Sequence, residues 1–374
     1  MEKPLVYDRI VVKAGTRLLT GGSDRLDLGQ MATLVGQMAR LHQKGVQVLL
    51  VSSGAVAAGR QALGLPRERK EIPFRQVLAA VGQARLMQAY ENLFAEHEIT
   101  VAQALLTRGD VADRLGYLNI RNTLLALLDV RVIPIINEND VVAVEELQGE
   151  IFGDNDNLSA MVANLVDADL LVMLGEVEGM YTADPHRDPN AHLIERVEKI
   201  DAPIESLAGG SSDSQARGGM ATKIEAARLA TASGVATVIA SGHQSDVLIR
   251  LAYGESLGTF FHPAANKMDS RKRWMLSGLS TRGQIVVDAG AVIALSNSHR
   301  SLLPAGVKKV KGSFNRGDII AILDSQGLQL ACGIANYGSQ DIAIIRGQRS
   351  DHIEKLLGYH YGDEIVHRNN MVLL

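Results

Sequence analysis

The chain has 374 residues, 46% of them hydrophobic and 21% charged, which supports a globular protein with a sizeable core in two domains, or in one large domain with an appendage. A net charge of −4 and only 4% aromatic residues argue against an electrostatic nucleic-acid binder built on base stacking. Cys332 is the only cysteine, so an intramolecular disulfide and a cysteine-based zinc site are excluded. No apolar run reaches transmembrane length and no signal-like apolar core opens the chain, so a cytoplasmic protein without membrane contact is expected.

In chain order, the first strand is expected at Ile10–Lys13. Lys13 closes that strand ahead of Ala14, Gly15 and Thr16. A lysine there reaches a phosphate while the loop backbone comes close, or is simply a surface lysine before a turn. A helix follows from Leu28 to Lys44, with apolar residues at Leu28, Met31, Leu34, Val35, Met38 and Leu41 and Gly45 as its stop. The second strand, Val46–Val51, runs into Ser52, Ser53, Gly54, Ala55, Val56, Ala57, Ala58 and Gly59. Small residues there let N–H groups at a helix start face an anion. Arg60 follows Gly59, so the P-loop pattern with its Lys-Ser/Thr is absent.

Further helices are expected at Phe74–Ala95, Tyr117–Leu128, Leu158–Val166 and Met220–Ser233. Strands are expected at Thr100–Leu106, Val132–Ile136, Leu170–Leu174 and Val235–Ala240. Repeated β–α units imply an α/β fold with a doubly wound, mainly parallel sheet sandwiched by helices. Its ligands belong at the carboxyl ends of the strands. The segment from Asn137 to Asn157 fits that place. Asn137, Glu138, Asn139 and Asp140 follow one strand, and Gly153, Asp154, Asn155, Asp156 and Asn157 open a helix. The same residues also serve as turns and caps, so both readings stand at this point. Tyr181, Thr182, Ala183, Asp184 and Pro185 form a polar loop after the fifth strand. Arg217, Gly218, Gly219, Met220, Ala221, Thr222 and Lys223 put two glycines before a helix and Lys223 in its first turn. A lysine opposing the helix dipole there hints at a bound polyphosphate.

Near residue 262 the texture changes, and residues 263–280 read as a linker between a domain at 1–262 and a smaller one at 281–374. Short Val- and Ile-rich runs at Gln284–Asp288, Ala291–Leu295, Asp318–Leu323, Leu328–Ile334 and Asp341–Ile345 suggest a small, mostly β domain. Residues 281–374 hold ten Lys+Arg against eight Asp+Glu, a balance of +2 on an otherwise acidic protein.

No histidine cluster, Ser-His-Asp order or nucleophile elbow is present. Lysines at strand and helix ends, glycine-rich loops and a carboxylate/carboxamide cluster are what phosphoryl transfer requires, because that reaction is mainly positioning and charge neutralisation. A carboxylate acceptor needs no general base.

The motifs VVKAGT (11–16), SSGAVAAGR (52–60), INEND (136–140), GDNDNLSA (153–160), YTADP (181–185) and GGMATK (218–223) occur in the order found in glutamate 5-kinases, which this chain resembles. Leu78–Gln83, LLTR (105–108), RKRW (271–274) and the run 302–318 resemble bacterial members with a C-terminal PUA domain. The resemblance spans nearly the whole chain. It implies the amino-acid kinase fold and ATP-dependent phosphorylation of the γ-carboxylate of L-glutamate, with Mg²⁺ bridging the nucleotide phosphates and no protein metal ligand assigned. Carried over by motif, Lys13 and Lys223 would contact the transferred phosphoryl and Asp156 would hold both lysines. Ser53, Asp140 and Asn155 would bind glutamate, with Asn137 and Asp154 supporting and Gly54 and Ala55 offering backbone N–H groups. Gly15, Gly175, Glu176, Arg217, Gly218, Gly219, Met220, Ala221 and Thr222 would border ATP. The family also implies L-proline as a feedback inhibitor and a dimer or tetramer.

Three departures from the family pattern stand out. Its usual Thr-Asp after the fifth strand is Gly175-Glu176 here, which keeps an acid and loses a hydroxyl. Its usual Gly-Thr before Gly-Gly-Met is Ala216-Arg217, behind a longer loop at 209–215. The segment between Asp140 and Gly153 is longer by a few residues. The alternatives are a related kinase acting on aspartate, N-acetylglutamate or carbamate, and an RNA-binding regulator acting through its PUA domain. An N-acylated substrate has no amine for Asp140 to pair, and a balance of +2 with few aromatics weighs against RNA as the main ligand.

Overall fold

The six strands expected between residues 10 and 240 all lie in one eight-stranded sheet. The computed structural model describes residues 4–64, 71–143, 154–183, 185, 188–209, 214–264, 281–298 and 300–374. They fall into two compact units, residues 1–111 with 120–267, and residues 112–119 with 268–374.

The large sheet contains β1 (Arg9–Ala14), β2 (Gln47–Ser52), β3 (Val101–Leu106), β4 (Ile133–Glu138), β5 (Leu170–Gly175), β6 (Arg196–Val197), β7 (Ala236–Ser241) and β8 (Thr259–Phe261). Their order is β3-β4-β2-β1-β5-β7-β8-β6, and every pair from β3 across to β7 is parallel. Val11, Val12, Leu49, Leu50, Leu171 and Val172 are almost completely buried. Successive residues of these strands are covered on both faces, which is why they read as continuous apolar runs. From β1 the chain builds to one side through β2, β3 and β4, then returns to β5 on the other side. The switch point between β1 and β5 is where a doubly wound sheet opens a crevice.

The helices of this unit are α1 (Thr16–Thr20), α2 (Leu28–Gln43), α3 (Ala55–Leu63), α4 (Ile72–Ala95), α5 (Arg108–Ala112), α6 (Arg114–Asp129), α7 (Asp154–Leu165), α8 (Ala202–Gly209), α9 (Ser214–Ala232) and α10 (Val247–Ala252), α6 beginning in the residues grouped with the other unit. Helix α2 starts where the Asp27 carboxylate accepts from Gln30 N at 3.0 Å, and it buries Met31, Leu34, Val35, Met38 and Leu41 against the sheet. Helices α3 and α4 pack backbone to backbone. A Cβ on Gly59 would collide with the Leu78 carbonyl, and one on Gly82 with the Ala55 carbonyl. Only glycine permits that approach, and it sets where α4 passes α3.

The second unit carries a sheet in the order β10-β9-β11-β12-β13. Its elements are β9 (Gly283–Val287), α11 (Ala289–Ser298), β10 (Val307–Gly312), β11 (Ile319–Leu323), β12 (Gln329–Ile334), α12 (Ser339–Ile345), α13 (Ile353–Leu357) and β13 (Met371–Leu373). Two expected strands are helices instead. Residues 291–295 belong to α11, where the Asp288 carboxylate accepts from Ala291 N at 2.7 Å and starts the helix. Residues 341–345 belong to α12, where Asp341 accepts from Gly338 N at 3.3 Å and Ile342 and Ile345 are buried three residues apart while Ile344 is exposed. The edge strand β10 (VKKVKG) escapes sequence reading because lysines at a sheet edge suppress the apolar signal. Most of the expected linker, residues 265–280, lies outside the described residues.

Candidate active site

Lys13, Ser52, Asn137 and Gly175 all stand at or next to the carboxyl ends of parallel strands, so β1, β2, β4 and β5 deliver them to one edge of the sheet. Helix α7 points its first turn at the same edge. Its far end is anchored by two cations: Arg121 donates to Leu165 O and ion-pairs with Asp167 at 2.6 Å, and Arg9 donates to Val166 O. Cations at a helix C-terminus and carboxylates at its N-terminus both suit the macrodipole. Asn155 and Asp156 are thereby held at the sheet's ligand edge.

Asp156 is the centre of a buried charge cluster. Its Oδ1 lies 2.7 Å from Lys13 Nζ, and its Oδ2 lies 3.1 Å from Lys223 Nζ and accepts from Thr222 Oγ1 at 2.8 Å. The side chains of Lys13 and Asp156 are 5% and 4% exposed. Burial alone would push the Asp156 carboxyl up. The ammonium charges of Lys13 and Lys223, with hydrogen bonds from Lys13 and Thr222, outweigh it and hold the carboxyl down at about 2. Two lysines share this one carboxylate, close to the loops after β1 and β5. A Cβ on Gly15 would sit 3.4 Å from Lys13 Nζ, and one on Gly175 would sit 3.7 Å from Lys223 Cε.

Beside this cluster opens a cleft of about 510 Å³ lined by Ser53, Gly54, Ala55, Asn137, Asp140, Asn155 and Glu176. A chain of carboxamides forms its floor. Asn155 Nδ2 donates to Ser52 O at 3.1 Å, Ser53 Oγ at 2.9 Å and Asn137 Oδ1 at 3.0 Å. Asn137 Nδ2 in turn donates to Gln83 Oε1 at 2.8 Å. These bonds assign which end of each amide faces which way. On the wall, α3 starts just after Gly54, whose φ is +106° and which offers no side chain to cap the first-turn N–H groups.

The sequence-selected residues thus separate into two adjoining groups. Lys13, Gly15, Asp156, Gly175, Thr222 and Lys223 surround the charge cluster, and Ser53, Gly54, Ala55, Asn137, Asp140, Asn155 and Glu176 line the cleft. One expectation is corrected. Helix α9 begins at Ser214, so Lys223 lies well inside it, and Gly218 and Gly219 are helical instead of preceding the helix. A glycine weakens a helix by only about 1 kcal/mol, so the pair does not terminate it, and the dipole argument for Lys223 lapses. Lys223 instead reaches Asp156 from the helix side, one residue after Thr222. Gly219 accepts from Lys223 Nζ at 3.4 Å, Met220 is half-buried beside it, and Ala221 follows in the same helix. The side chains of Asp154 and Arg217, residue 184, and the long segments at 144–153 and 210–213 lie outside the described residues. Sequence reading gave no site role to Thr16, Arg17, Asp24, Arg60 and Arg75 on the cleft wall or to Gln83 beneath it. Thr16, Arg60 and Gln83 lay inside quoted motifs, whereas Arg75 carried no signal.

Residues 8–241 match the amino acid kinase family and residues 283–357 match the PUA domain. The chain is 55% identical to a glutamate 5-kinase of Dehalococcoides mccartyi, over 98% of this chain and 99% of that one. It is 50% identical to a glutamate 5-kinase of Herpetosiphon aurantiacus, over 98% of each chain. Among solved structures, a UMP kinase from Bacillus anthracis aligns at a TM-score of 0.48 and 14% identity, over 69% of this chain and 97% of that one.

Proposed function

Since the chain belongs to the glutamate 5-kinase family of amino acid kinases, we propose that it transfers the γ-phosphoryl group of ATP to the γ-carboxylate of L-glutamate, giving L-glutamyl 5-phosphate, the first step of proline biosynthesis. The observation that carries this reading is the Lys13–Asp156–Lys223 cluster beside a polar cleft of amino-acid size.

In the proposed step a γ-carboxylate oxygen forms a bond to phosphorus while the bond from phosphorus to the β,γ-bridging oxygen breaks and ADP leaves. The acceptor is already ionised at neutral pH, because a glutamate carboxyl titrates near 4.3, so no base is needed. Lys13 and Lys223 neutralise charge on the transferring group, and in a site screened from water each such contact contributes several kcal/mol. Asp156 holds both lysines in position. Asp140 would pair with the α-ammonium, and the Asn155–Asn137–Gln83 chain would hold the cleft floor rigid.

The donors present suit Mg²⁺ carried mainly on the nucleotide phosphates. Asp156 is already engaged by two lysines and a threonine, and among the described residues no group of three His, Cys, Asp or Glu side chains gathers to hold a metal. Bound Mg²⁺ would supply charge neutralisation on the phosphates. Gly15, Gly175 and Glu176 would border the nucleotide. The family also supports L-proline as an inhibitor competing at the amino-acid end and assembly into a dimer or tetramer. Among the described residues no helix is long and apolar enough to cross a membrane.

The test is ATP-dependent ADP release with L-glutamate, L-aspartate, N-acetyl-L-glutamate and carbamate, with the acyl phosphate trapped as a hydroxamate. Turnover with L-glutamate alone is expected. A protein that turns over another of the four and leaves glutamate untouched contradicts the reading.

A further inference from the structure

The proposed reaction uses the lysines and Asp140 but leaves three arginines of the cleft without a role: Arg17, which pairs with Glu176 at 3.9 Å, and Arg60 and Arg75. Arg60, on α3, and Arg75, on α4, both line it together with Ser53, Asp140 and Asn155. The Arg60 side chain is 17% exposed, and its buried Nε has no hydrogen-bond partner among the described residues. Its ion pair with Asp24 is single-pointed and long, Nη1 to Oδ1 at 3.4 Å. A guanidinium has five N–H donors in a fork that fits a carboxylate, so one long contact leaves most of that capacity unused. The guanidinium of Arg75 makes no hydrogen bond or ion pair among the described residues. Its neighbour Gln76 donates to Val141 O at 3.1 Å, which lays the start of α4 beside the Asp140 loop.

The positions are set by packing. Side chains on a helix lean toward its N-terminus. Arg60 therefore reaches back over Val56 and Ala57, which line the same cleft. The glycine contact between Gly59 and α4 fixes how α4, and with it Arg75, approaches α3.

An α-amino dicarboxylic acid brings three charges into this cleft. The γ-carboxylate is consumed at the lysine cluster, where it takes up the phosphoryl group, and Asp140 answers the ammonium. The remaining carboxylate is costly to desolvate unless a cation meets it. We propose that Arg60, oriented by Asp24, and Arg75 form the subsite for the α-carboxylate of the amino-acid substrate, and so set the preference for a free amino acid over its α-amide. This rests on the reading of the cleft as the glutamate site.

Steady-state kinetics of the full chain test it, with the wild type, Arg60→Gln, Arg60→Lys and Arg75→Gln. Each is assayed with L-glutamate and with L-isoglutamine, which keeps the γ-carboxylate and replaces the α-carboxylate by an amide; if isoglutamine is not turned over it is measured as a competitor. Arg60→Gln should raise the glutamate KM roughly 10- to 100-fold with kcat within about threefold, as expected for a lost ground-state contact. It should shrink the glutamate-over-isoglutamine preference by at least about tenfold. Arg75→Gln should do the same to a lesser degree, and Arg60→Lys should recover part of the loss. An unchanged preference in both glutamine variants overturns the proposal, as does an equal loss with both compounds, which marks the arginines as structural supports. A wild type inactive with glutamate would instead overturn the proposed function itself.

Discussion

The charge cluster and the cleft beside it handle charge in opposite ways. In the cluster, the proposed phosphoryl-transfer end, the charged groups are held in place in advance: Asp156 holds Lys13 at 2.7 Å and Lys223 at 3.1 Å, and Thr222 completes the set. In the cleft, the proposed amino-acid end, Arg60 and Arg75 are underused, with Arg60 on one long contact at 3.4 Å and Arg75 on none among the described residues. The difference follows from what each end must meet. Charge that develops only in a transition state is best met by groups fixed beforehand, since reorganising them would add to the barrier. Charge that arrives with a substrate is met by groups whose bonding capacity stays open until it binds.

The comparison can be broken at either end. The largest effect is expected from Lys223→Ala, which should lower kcat by roughly 10²–10³-fold while the glutamate KM stays within about threefold, measured by coupled ADP release. An equal loss in binding would erase the distinction between the ends. Next is Asp156→Asn. Removing one partner of a buried charge cluster leaves the others uncompensated, so chemical denaturation should show a loss on the order of 3 kcal/mol, alongside lost turnover. Asp140→Ala should raise the glutamate KM about 10- to 30-fold and leave the ATP KM unchanged. An effect confined to ATP would mean that Asp140 serves the other end.

A smaller effect is expected with pH. Asp156 is held at about 2, down from an ordinary 3.8. Because the folded value is the lower one, its contribution to stability is fully present above the ordinary value. It is lost as pH falls from near 4 through about 2. Acid titration of unfolding should therefore show the gap between wild type and Asp156→Asn shrinking across that window. A gap that stays constant would mean the carboxyl is not depressed. The smallest effect belongs to Gln83→Leu, which removes only the last link of the carboxamide chain. The loss should be about 1 kcal/mol, seen as a modest rise in glutamate KM.

The parallel sheet was legible because its strands are buried on both faces and its helices are amphipathic. Lys13, Asn137, Asn155 and Asp156 were legible because polar residues interrupted those patterns at strand and helix ends. Lys223 was found for a reason that failed, since glycines at 218 and 219 looked like a helix boundary and proved to be helix interior. Arg75 could not be found by pattern. It sits among ordinary helix residues, and only the Gly59–Gly82 packing of α3 on α4 brings it to the cleft. In the small unit, short apolar runs at 291–295 and 341–345 were too brief to separate period two from period three. There Asp288 and Asp341 at the helix starts decided what the apolar residues left open.

The most direct test of the division between the two ends is equilibrium binding of L-glutamate to Lys223→Ala by calorimetry, without nucleotide. An affinity within about threefold of the wild type, in a variant whose turnover has fallen by 10²-fold or more, is the result this account predicts. Loss of glutamate affinity in step with turnover would contradict it, because the lysine cluster would then be part of the ground-state binding site.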